Sequence, residues 1–396
     1  MELDLEIVTC PMCDGFENER IYKTEVFLAG DKKVEVTVNQ CKKCGFVYNS
    51  PRPTERFLSK FYSDDLSSSG QIFRDETINS YYPKLHKERA NFLFDNIEDN
   101  PSFNLLDIGC GMGGFLKAIK HERKKTKTEG IDFSKAAIRK CIDEGLNVSN
   151  AKVEDLIRKK IKKDIVSLIS VLEHALDPRD LIKKCRQLLK KRGKIFIEVP
   201  NLFDPTISIS GYFCFEHIVH FTPFSLKELL IEEGFKSFYL DTESKKVVRL
   251  IGSLDSDLIS PGKIDALSKD YEDAKTVVLK YHNRQERFKA DIKNQLEGLI
   301  SKWKSKGLKI AMYGAGTHSL ELSKIVNFQP SVKFFIDGDK RKHGKKFLGV
   351  PVVPPQHLSV EKVGALLISS GNFREEMAAT ARYYAGSDLI IENCYD

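Results

Sequence analysis

Residues 105–115 read Leu105-Leu106-Asp107-Ile108-Gly109-Cys110-Gly111-Met112-Gly113-Gly114-Phe115, an apolar run that passes into closely spaced glycines. This order predicts a buried strand that turns sharply into a helix, because glycine permits a tight bend and places no side chain in the way of a ligand. Backbone N–H groups at the start of that helix would face the ligand. In Gly130-Ile131-Asp132-Phe133, Asp132 ends a second apolar strand and could accept both hydroxyls of a ribose. The stretch therefore predicts the start of a nucleoside-binding βαβ unit.

A glycine loop of this kind also occurs in NAD-binding domains, and many α/β turns use glycine only to bend the chain. An NAD-binding loop normally has a third glycine three residues after the second, and here Gly114 stands three residues after Gly111. The loop alone does not separate these alternatives. The order of the motifs that follow the loop separates these alternatives.

Three further stretches follow the loop in a fixed order. They are Ala151-Lys152-Val153-Glu154-Asp155, an apolar strand from Asp164 to Ser170 that continues into Val171-Leu172-Glu173-His174, and Gly193-Lys194-Ile195-Phe196-Ile197-Glu198-Val199-Pro200-Asn201. Together with the loop they resemble a class I S-adenosylmethionine methyltransferase over roughly residues 80–250. The resemblance implies that the cofactor contacts Asp107, Gly109, Gly111 and Gly113 with its methionine part, Asp132 with its ribose, and Val153 and Glu154 with its adenine.

Length and composition indicate a globular chain of two or three domains, with 396 residues, 41% hydrophobic and 30% charged. Runs of about 18 apolar residues are absent from the sequence, and the first residues are acidic, so we expect a cytoplasmic protein without a membrane partner. The net charge of +7 comes from scattered lysines. A solvated lysine-rich surface explains most of it, and the remainder favours an anionic substrate such as a nucleotide diphosphate.

Two Cys-x-x-Cys turns lie near the beginning of the chain, Cys10-Pro11-Met12-Cys13 and Cys41-Lys42-Lys43-Cys44. Four thiolates at this spacing can surround zinc tetrahedrally, and the β-rich residues 21–27 and 33–38 between them predict a zinc-ribbon hairpin. The site has no spare ligand position, so the zinc would be structural. A redox pair is the alternative, although two matched pairs fit a metal better. The other five cysteines are isolated, as buried thiols of a reducing compartment are.

Residues 213–226, called here the Glu-His segment, place Glu216, His217 and His220 among aromatic side chains. A buried imidazole beside a carboxylate has the tuned basicity that a general base requires, but histidines in apolar runs also serve as structural hydrogen-bonding groups. Tyr81 and Tyr82 begin a predicted helix over residues 81–96 near the expected cofactor mouth. Substrate contact and helix packing are both open for these tyrosines, and His220 is a further candidate for substrate contact.

The order of cysteine turns, methyltransferase motifs, Glu-His segment and C-terminal domain resembles, over the whole chain, the sugar C-methyltransferases that act on dTDP-linked keto-deoxysugars. That resemblance implies that Glu216 and His217 lie in the sugar pocket and that His217 is the base. In that role Glu216 would orient or tune His217. The family usually carries a tyrosine three residues before the histidine. This chain has Cys214 there, with Tyr212 nearby.

The last third of the chain predicts a long helix within residues 256–306 and then a second strand-turn-helix at Gly314-Ala315-Gly316. This turn could bind phosphate, with His318 either contacting substrate or capping the helix. We therefore expect an α/β protein with a zinc-ribbon-like module (residues 1–75), a Rossmann-like methyltransferase domain (76–252), and a helical linker with a second Rossmann-like domain (253–396).

The predicted reaction is C-methylation of a nucleotide-linked keto-deoxysugar, a small-molecule partner, with S-adenosylmethionine and structural zinc as cofactors. Three alternatives remain: an O-methyltransferase of a sugar nucleotide or surface glycan, a zinc-bearing RNA methyltransferase, and a non-catalytic binding protein. The RNA alternative is disfavoured because residues 171–174 read Val-Leu-Glu-His rather than an Asn-Pro-Pro-aromatic element, and no basic stripe with interleaved aromatics stands out. The sequence leaves the oligomeric state open.

Overall fold

A computed structural model describes residues 3–27, 33–63, 81–98, 102–258, 270–371 and 373–395. The chain separates into two compact units. Unit 1 comprises residues 1–206 and 212–282, and unit 2 comprises residues 207–211 and 283–396. The predicted fold class is confirmed, with two Rossmann-like α/β sheets and a small N-terminal module. The three-domain division stays a prediction.

The N-terminal module of unit 1 is built around an antiparallel hairpin. Its elements are β1 (Leu5–Glu6), β2 (Asn18–Phe27), β3 (Lys33–Cys41), β4 (Val47–Asn49), β5 (Arg52–Pro53) and helix α1 (Glu55–Ser63). In β3 the valines at 34, 36 and 38 are buried, and they alternate with more exposed polar residues, which is the pattern of a strand with one face on a core. The β-rich segments predicted between the cysteine turns are confirmed.

The central sheet of unit 1 has seven strands in the order β12-β13-β10-β9-β6-β7-β8. Its elements are α2 (Tyr81–Asp95), β6 (Asn104–Ile108), α3 (Gly114–Glu122), β7 (Lys127–Ile131), α4 (Lys135–Asp143), β8 (Val148–Ser149), α5 (Val153–Arg158), β9 (Lys163–Ile169), α6 (Pro178–Leu188), β10 (Leu189–Pro200), β11 (Val219–His220), α7 (Pro223–Glu232), β12 (Ser237–Leu240) and β13 (Val247–Ser253). Strands β8, β7, β6, β9 and β10 are parallel, and β13 and β12 complete the sheet in antiparallel pairing.

Strand β6 lies between β7 and β9, so the strand order reverses there. In an open parallel sheet this reversal opens a crevice at the carboxyl ends of the strands, where ligands bind. The glycine loop follows β6 directly, and residues 171–174 follow β9. The topology therefore brings both motifs to the same edge of the sheet.

Strand β11 belongs to the sheet of the N-terminal module, which has the order β11-β4-β3-β2. Val219 and His220 pair antiparallel with Tyr48 and Val47. Strand β11, within the Glu-His segment, thus hydrogen-bonds to β4, the strand that follows the second cysteine turn. Sequence reasoning did not anticipate this pairing.

A buried ion network crosses the central sheet at Glu198 on β10. Arg89 Nε lies 2.9 Å from Glu198 Oε1, Arg249 Nε lies 2.7 Å from Oε2, and Arg249 also pairs with Asp241 at 3.0 Å. Burial alone would raise the pKa of Glu198, but the two guanidinium groups outweigh it and hold this pKa below its usual value. The network ties α2 and β13 to the centre of the sheet.

Unit 2 contains a six-stranded sheet in the order β16-β17-β15-β14-β18-β19, parallel except for the pairing of β16 with β17. Its elements follow helix α8 (Asp270–Ser305) and are β14 (Ile310–Tyr313), α9 (Thr317–Ser323), β15 (Val332–Ile336), β16 (Lys346–Phe347), β17 (Val350–Val353), β18 (Ala365–Ile368), α10 (Arg374–Ala385) and β19 (Ile390–Asn393). The predicted long helix is confirmed over α8, and residues 259–269 lie outside the described residues. In the described part of the chain, every helix is too short or too polar to traverse a bilayer.

Candidate active site

The glycine loop has the geometry that its composition predicts. Gly109 and Gly111 adopt φ values of 73° and 50°, in the left-handed region that disfavours side chains. A Cβ at Gly109 would lie 2.4 Å from Cγ2 of Val171, so the loop packs tightly against the chain after β9. A Cβ at Gly111 would meet no described atom within 4 Å. The loop therefore presents bare backbone to open space at Gly111, which is where a ligand can approach.

Asp132 is fixed beside this loop. Its Oδ2 accepts a hydrogen bond from the Gly111 N–H at 2.8 Å, and its Oδ1 accepts one from the Ser134 N–H at 2.7 Å. Burial raises the pKa of Asp132, and these two N–H groups oppose the rise. An ionised carboxylate has about four acceptor positions. Positions therefore remain on Asp132 for the two hydroxyls of a ribose.

Asp107 lies at the carboxyl end of β6 and is buried. Ser167 Oγ, on β9, donates a hydrogen bond to Asp107 Oδ1 at 2.7 Å. Burial raises the pKa of Asp107 to about 7, while Ser167 and the charge of Arg89 oppose the rise. Sequence reasoning missed Ser167. Its signal is a single hydroxyl inside the apolar run of β9.

Val153 and Glu154 begin α5, with Val153 buried. The Glu154 carboxylate pairs with Lys184 Nζ on α6 at 2.5 Å, and this ammonium group holds the pKa of Glu154 below its usual value. Helix α2 begins at Tyr81, but the side chains of Tyr81 and Tyr82 lie outside the described residues. The predicted adenine and substrate contacts of these four residues stay predictions.

The Glu-His segment meets the chain after β9 in a cluster of Glu173, His174 and His217. One carboxylate or imidazole atom from each residue lies within 4.8 Å of those of the other two. The imidazole rings of His174 and His217 have centroids 4.9 Å apart, and the Ile218 N–H donates to the Glu173 carbonyl oxygen at 2.9 Å. The sequence singled out His217 and considered His174. It gave no separate weight to Glu173.

His174 is held as one tautomer. Its Nδ1 lies 2.8 Å from the carbonyl oxygen of Glu216, and because a carbonyl can only accept, Nδ1 carries the hydrogen. Burial lowers the pKa of His174 to about 3, helped by its neighbour His217. Its ring is therefore neutral near pH 7, and Nε2 is left with a lone pair. Tyr62, whose hydroxyl lies 3.2 Å from the same Nδ1, adds a further polar group to this site.

Glu173 and Glu216, the glutamates next in sequence to His174 and His217, both have raised pKa values. Burial raises the pKa of Glu173 to about 7, and it also raises the pKa of Glu216, with His217 opposing the rise in each case. Burial raises the pKa of Cys214, which stands where the resembled family usually has tyrosine, to about 12. Cys214 is thus a neutral thiol near pH 7.

Asn49, at the end of β4, clamps the Glu-His segment. Its Nδ2 donates to the His217 carbonyl oxygen at 2.8 Å, its backbone N–H donates to the Ile218 carbonyl oxygen at 2.9 Å, and its Oδ1 lies 3.0 Å from His220 Nε2. Burial lowers the pKa of His220 to about 3, so its ring is neutral. The Asn49 contact occupies one nitrogen of His220, and substrate contact by this residue stays a prediction.

The four cysteines of the N-terminal module lie together. Their sulfur atoms are all within 4.8 Å of one another, with Cys10 Sγ 3.5 Å from Cys44 Sγ and Cys13 Sγ 3.6 Å from Cys41 Sγ. Tetrahedral zinc with Zn–S bonds of about 2.3 Å requires sulfurs about 3.8 Å apart. These short distances link the two turns to each other, which favours one four-sulfur metal centre.

In unit 2 the glycine turn after β14 repeats the arrangement at Asp132. Asp337 Oδ2 accepts from the Ala315 N–H at 2.9 Å, but it also pairs with Lys342 Nζ at 2.9 Å. His318, in the first turn of α9, has its Nδ1 2.8 Å from the Tyr395 hydroxyl. Whether His318 contacts substrate stays a prediction.

Residues 78–239 match the family model "Methyltransferase domain", and residues 256–392 match "C-methyltransferase C-terminal domain". A ubiquinone biosynthesis O-methyltransferase of Pseudomonas fluorescens is 28% identical over 184 residues, which cover 45% of this chain and 75% of that protein. Its counterpart from Saccharophagus degradans is 34% identical over 124 residues, 30% of this chain and 51% of that protein.

Among solved structures, a SAM-dependent methyltransferase from Archaeoglobus fulgidus is 21% identical with a TM-score of 0.37, covering 43% of this chain and 94% of that one. The family models and the curated relatives define the class of protein. The chain is an S-adenosylmethionine-dependent methyltransferase that carries a C-methyltransferase C-terminal domain.

Proposed function

We propose that this methyltransferase transfers a methyl group to a carbon atom of a nucleotide-linked keto-deoxysugar, with His217 as general base. The observation that carries the proposal is the cluster of His217 with His174 and the buried carboxyl group of Glu173, at the ligand-binding edge of the central sheet. The match of residues 256–392 to a C-methyltransferase C-terminal domain supports a carbon acceptor. The keto-sugar itself is proposed from the order of motifs along the chain.

The described residues fit S-adenosylmethionine. The open space at Gly111 admits the ligand to bare backbone, and Asp132 has acceptor positions left for ribose hydroxyls. We propose that Asp107 and the glycine loop hold the amino-acid part, Asp132 the ribose, and Val153 and Glu154 the adenine. When bound, the cofactor supplies an electrophilic methyl group attached to sulfonium.

A carbon acceptor requires a base because a C–H bond next to a ketone is only weakly acidic. In the proposed reaction the His217 imidazole takes the α-proton, and the electron pair of that C–H bond moves into the ketone to give an enolate. Polar neighbours such as Glu216 and Tyr62 would orient the sugar. The enolate carbon would then form the bond to the methyl group as the bond between that methyl and the sulfonium sulfur breaks, with its electron pair remaining on sulfur.

O-methylation is the second candidate, because the curated relatives are named O-methyltransferases. The two reactions are separated by incubating the protein with methyl-¹³C-labelled cofactor and dTDP-linked keto-deoxysugars and recording the product by NMR. A methyl carbon coupled to a ring carbon supports the proposal. A methyl signal in the O-methyl range, or no product from any keto-sugar nucleotide, contradicts it.

We also propose that Cys10, Cys13, Cys41 and Cys44 bind one structural zinc ion. Four thiolates leave no position open for a substrate, so the metal would supply folding free energy and no chemistry. Elemental analysis of the purified chain should find one zinc per chain, and Cys41→Ser should lose it. A folded wild-type protein free of metal would contradict the assignment.

A further inference from the structure

The Glu173 carboxyl group is in an unusual situation for a buried acid. The residue is 2% exposed, and neither of its carboxyl oxygens has a hydrogen-bond partner among the described residues. Buried polar groups are nearly always hydrogen-bonded, because leaving one unpaired costs about 1–3 kcal/mol and more for a charged group. This carboxyl group is therefore free to take a partner during the working cycle of the site.

The surroundings of Glu173 leave one protein donor for that role. His174 Nε2 lies 3.9 Å from Glu173 Oε1, but its hydrogen is on Nδ1, which donates to the Glu216 carbonyl oxygen. His174 thus turns a lone pair toward a carboxyl group. His217, the third member of the cluster, has its Nδ1 buried and without a partner among the described residues. Protonation of His217 would supply the missing donor.

The other ionisable groups that act on Glu173 do not fill this role. Those with an electrostatic effect on Glu173, or affected by it, are Glu198, Arg89, Tyr62, Tyr212 and Cys214. Arg89 has its guanidinium on Glu198, and the Tyr212 hydroxyl donates to the Pro200 carbonyl oxygen at 3.3 Å. Burial raises the pKa of Tyr62 well above its usual value and that of Cys214 to about 12, so both remain neutral and neither supplies a positive charge to pair with a carboxylate.

Glu216 differs from Glu173 in its placement relative to His217. Its backbone carbonyl oxygen is taken up by His174, and its carboxyl group is outside the cluster of atoms that lie within 4.8 Å of one another. The residue is partly exposed, whereas Glu173 is fully buried. A carboxyl group that reaches the open side of a site can bind substrate. A fully buried carboxyl group beside the base acts through that base instead.

We propose that Glu173, rather than Glu216, is the positioning residue of the base, and that its carboxylate accepts the N–H of the His217 imidazolium formed when His217 takes the substrate proton. The assignment rests on the proposed function of His217. The proton balance is complete: the α-proton moves to His217, Glu173 remains ionised and stabilises the new positive charge, and the proton leaves to water after methyl transfer. The carboxylate of a Ser-His-Asp triad acts on its histidine in the same way.

The test is a titration of His217 by ¹⁵N NMR in the full-length protein, with the ring signals assigned by their loss in His217→Gln. Glu173→Gln removes the anion but keeps the shape, and the His217 titration midpoint should fall by roughly one pH unit or more because the imidazolium loses its counter-charge. Glu216→Gln should move it less. Glu297→Gln, an exposed carboxyl on α8, is the matched control and should leave it unchanged.

A second readout follows catalysis. In Glu173→Gln the rate of α-proton exchange from a keto-sugar should fall by about 10-fold or more, with the acidic limb of its pH profile displaced downward. In Glu216→Gln the main change should be a higher KM for the sugar substrate. The reverse assignment, with Glu216→Gln moving the His217 midpoint and Glu173→Gln leaving it in place, overturns the proposal.

Two further measurements keep the test decisive. Should Glu173→Gln fail to fold, ¹³C NMR of the wild-type Glu173 carboxyl decides: the proposal requires that Glu173 and His217 titrate as a coupled pair, and independent titration overturns it. Two metal ions per chain, the second lost in Glu173→Gln, would also overturn it by making the cluster a metal site. The His217 titration needs no substrate, so it is readable even if no keto-sugar is methylated.

Discussion

At the residue scale, the proposed role of His217 concerns the acceptor and that of Asp132 concerns the cofactor. For His217→Ala, we expect solvent deuterium no longer to enter the α-position of a keto-sugar, because the group that takes the proton is gone. Exchange is followed by NMR without cofactor, so methyl transfer does not enter the measurement. Calorimetry should show unchanged S-adenosylmethionine binding. Exchange that persists in the variant would remove His217 from the base role.

Asp132→Asn should weaken S-adenosylmethionine binding by roughly 10- to 100-fold, since charge-assisted hydrogen bonds to hydroxyls contribute about 1.5–3 kcal/mol. The amide oxygen can still accept from the Gly111 N–H, which keeps the loop tied to residue 132, while the amide NH₂ loses the hydrogen bond from the Ser134 N–H. Isothermal titration of the variant and the wild type with the cofactor measures the change. An unaltered dissociation constant would show that the ribose lies elsewhere.

At the element scale, the short strand β11 and Asn49 of β4 hold the loop that carries His217. Asn49→Ala removes a donor to the His217 carbonyl oxygen and a partner of His220 Nε2, both at a buried position. We expect a loss of about 1–3 kcal/mol in unfolding free energy and faster amide hydrogen exchange around residues 217–221. Asn18→Ala, which loses a hydrogen bond to Phe16 in an exposed setting, is the control. Equal exchange in both variants would contradict a clamping role.

The elements themselves were largely predictable from the sequence. The apolar runs at residues 105–108, 164–170 and 193–201 are strands of the central sheet, and the hairpin between the cysteine turns is present, because strand periodicity and glycine turns are local signals. The Asn49–His217 hydrogen bond joins residues 168 positions apart. Such contacts leave no periodic pattern, so the pairing of β11 with β4 could not be predicted.

The site was predictable where chemistry and spacing coincide. The cysteines, the glycine loop and the Glu-His pair each place scarce residue types at fixed intervals, and the structure brings each group together. Glu173 could not be separated from Glu216 in this way, because both are acids adjacent to a histidine in sequence. Only burial distinguishes them: Glu173 is fully buried and Glu216 is partly exposed.

At the scale of the whole molecule, stability should depend on the ion network at Glu198. Glu198→Gln leaves two buried guanidinium groups without their shared anion and should cost about 3–5 kcal/mol in unfolding free energy at pH 7. The pKa of Glu198 in the folded protein is lowered. Its contribution to the unfolding free energy is therefore present above the usual pKa of glutamate and is lost as pH falls through the folded pKa. The unfolding free energies of the wild type and Glu198→Gln, measured with denaturant, should therefore converge at acidic pH. Glu232→Gln, 3.7 Å from Arg179 at the surface, should have little effect.

The hydrogen bonds between β4 and β11 have a consequence for regulation. The same few residues that leave the second cysteine turn also hold the loop that presents His217. A metal ion remote from the chemistry would then set how ordered the base is, and depletion of that ion would slow proton removal before the fold is lost. Catalytic rate in this enzyme would accordingly report on metal supply.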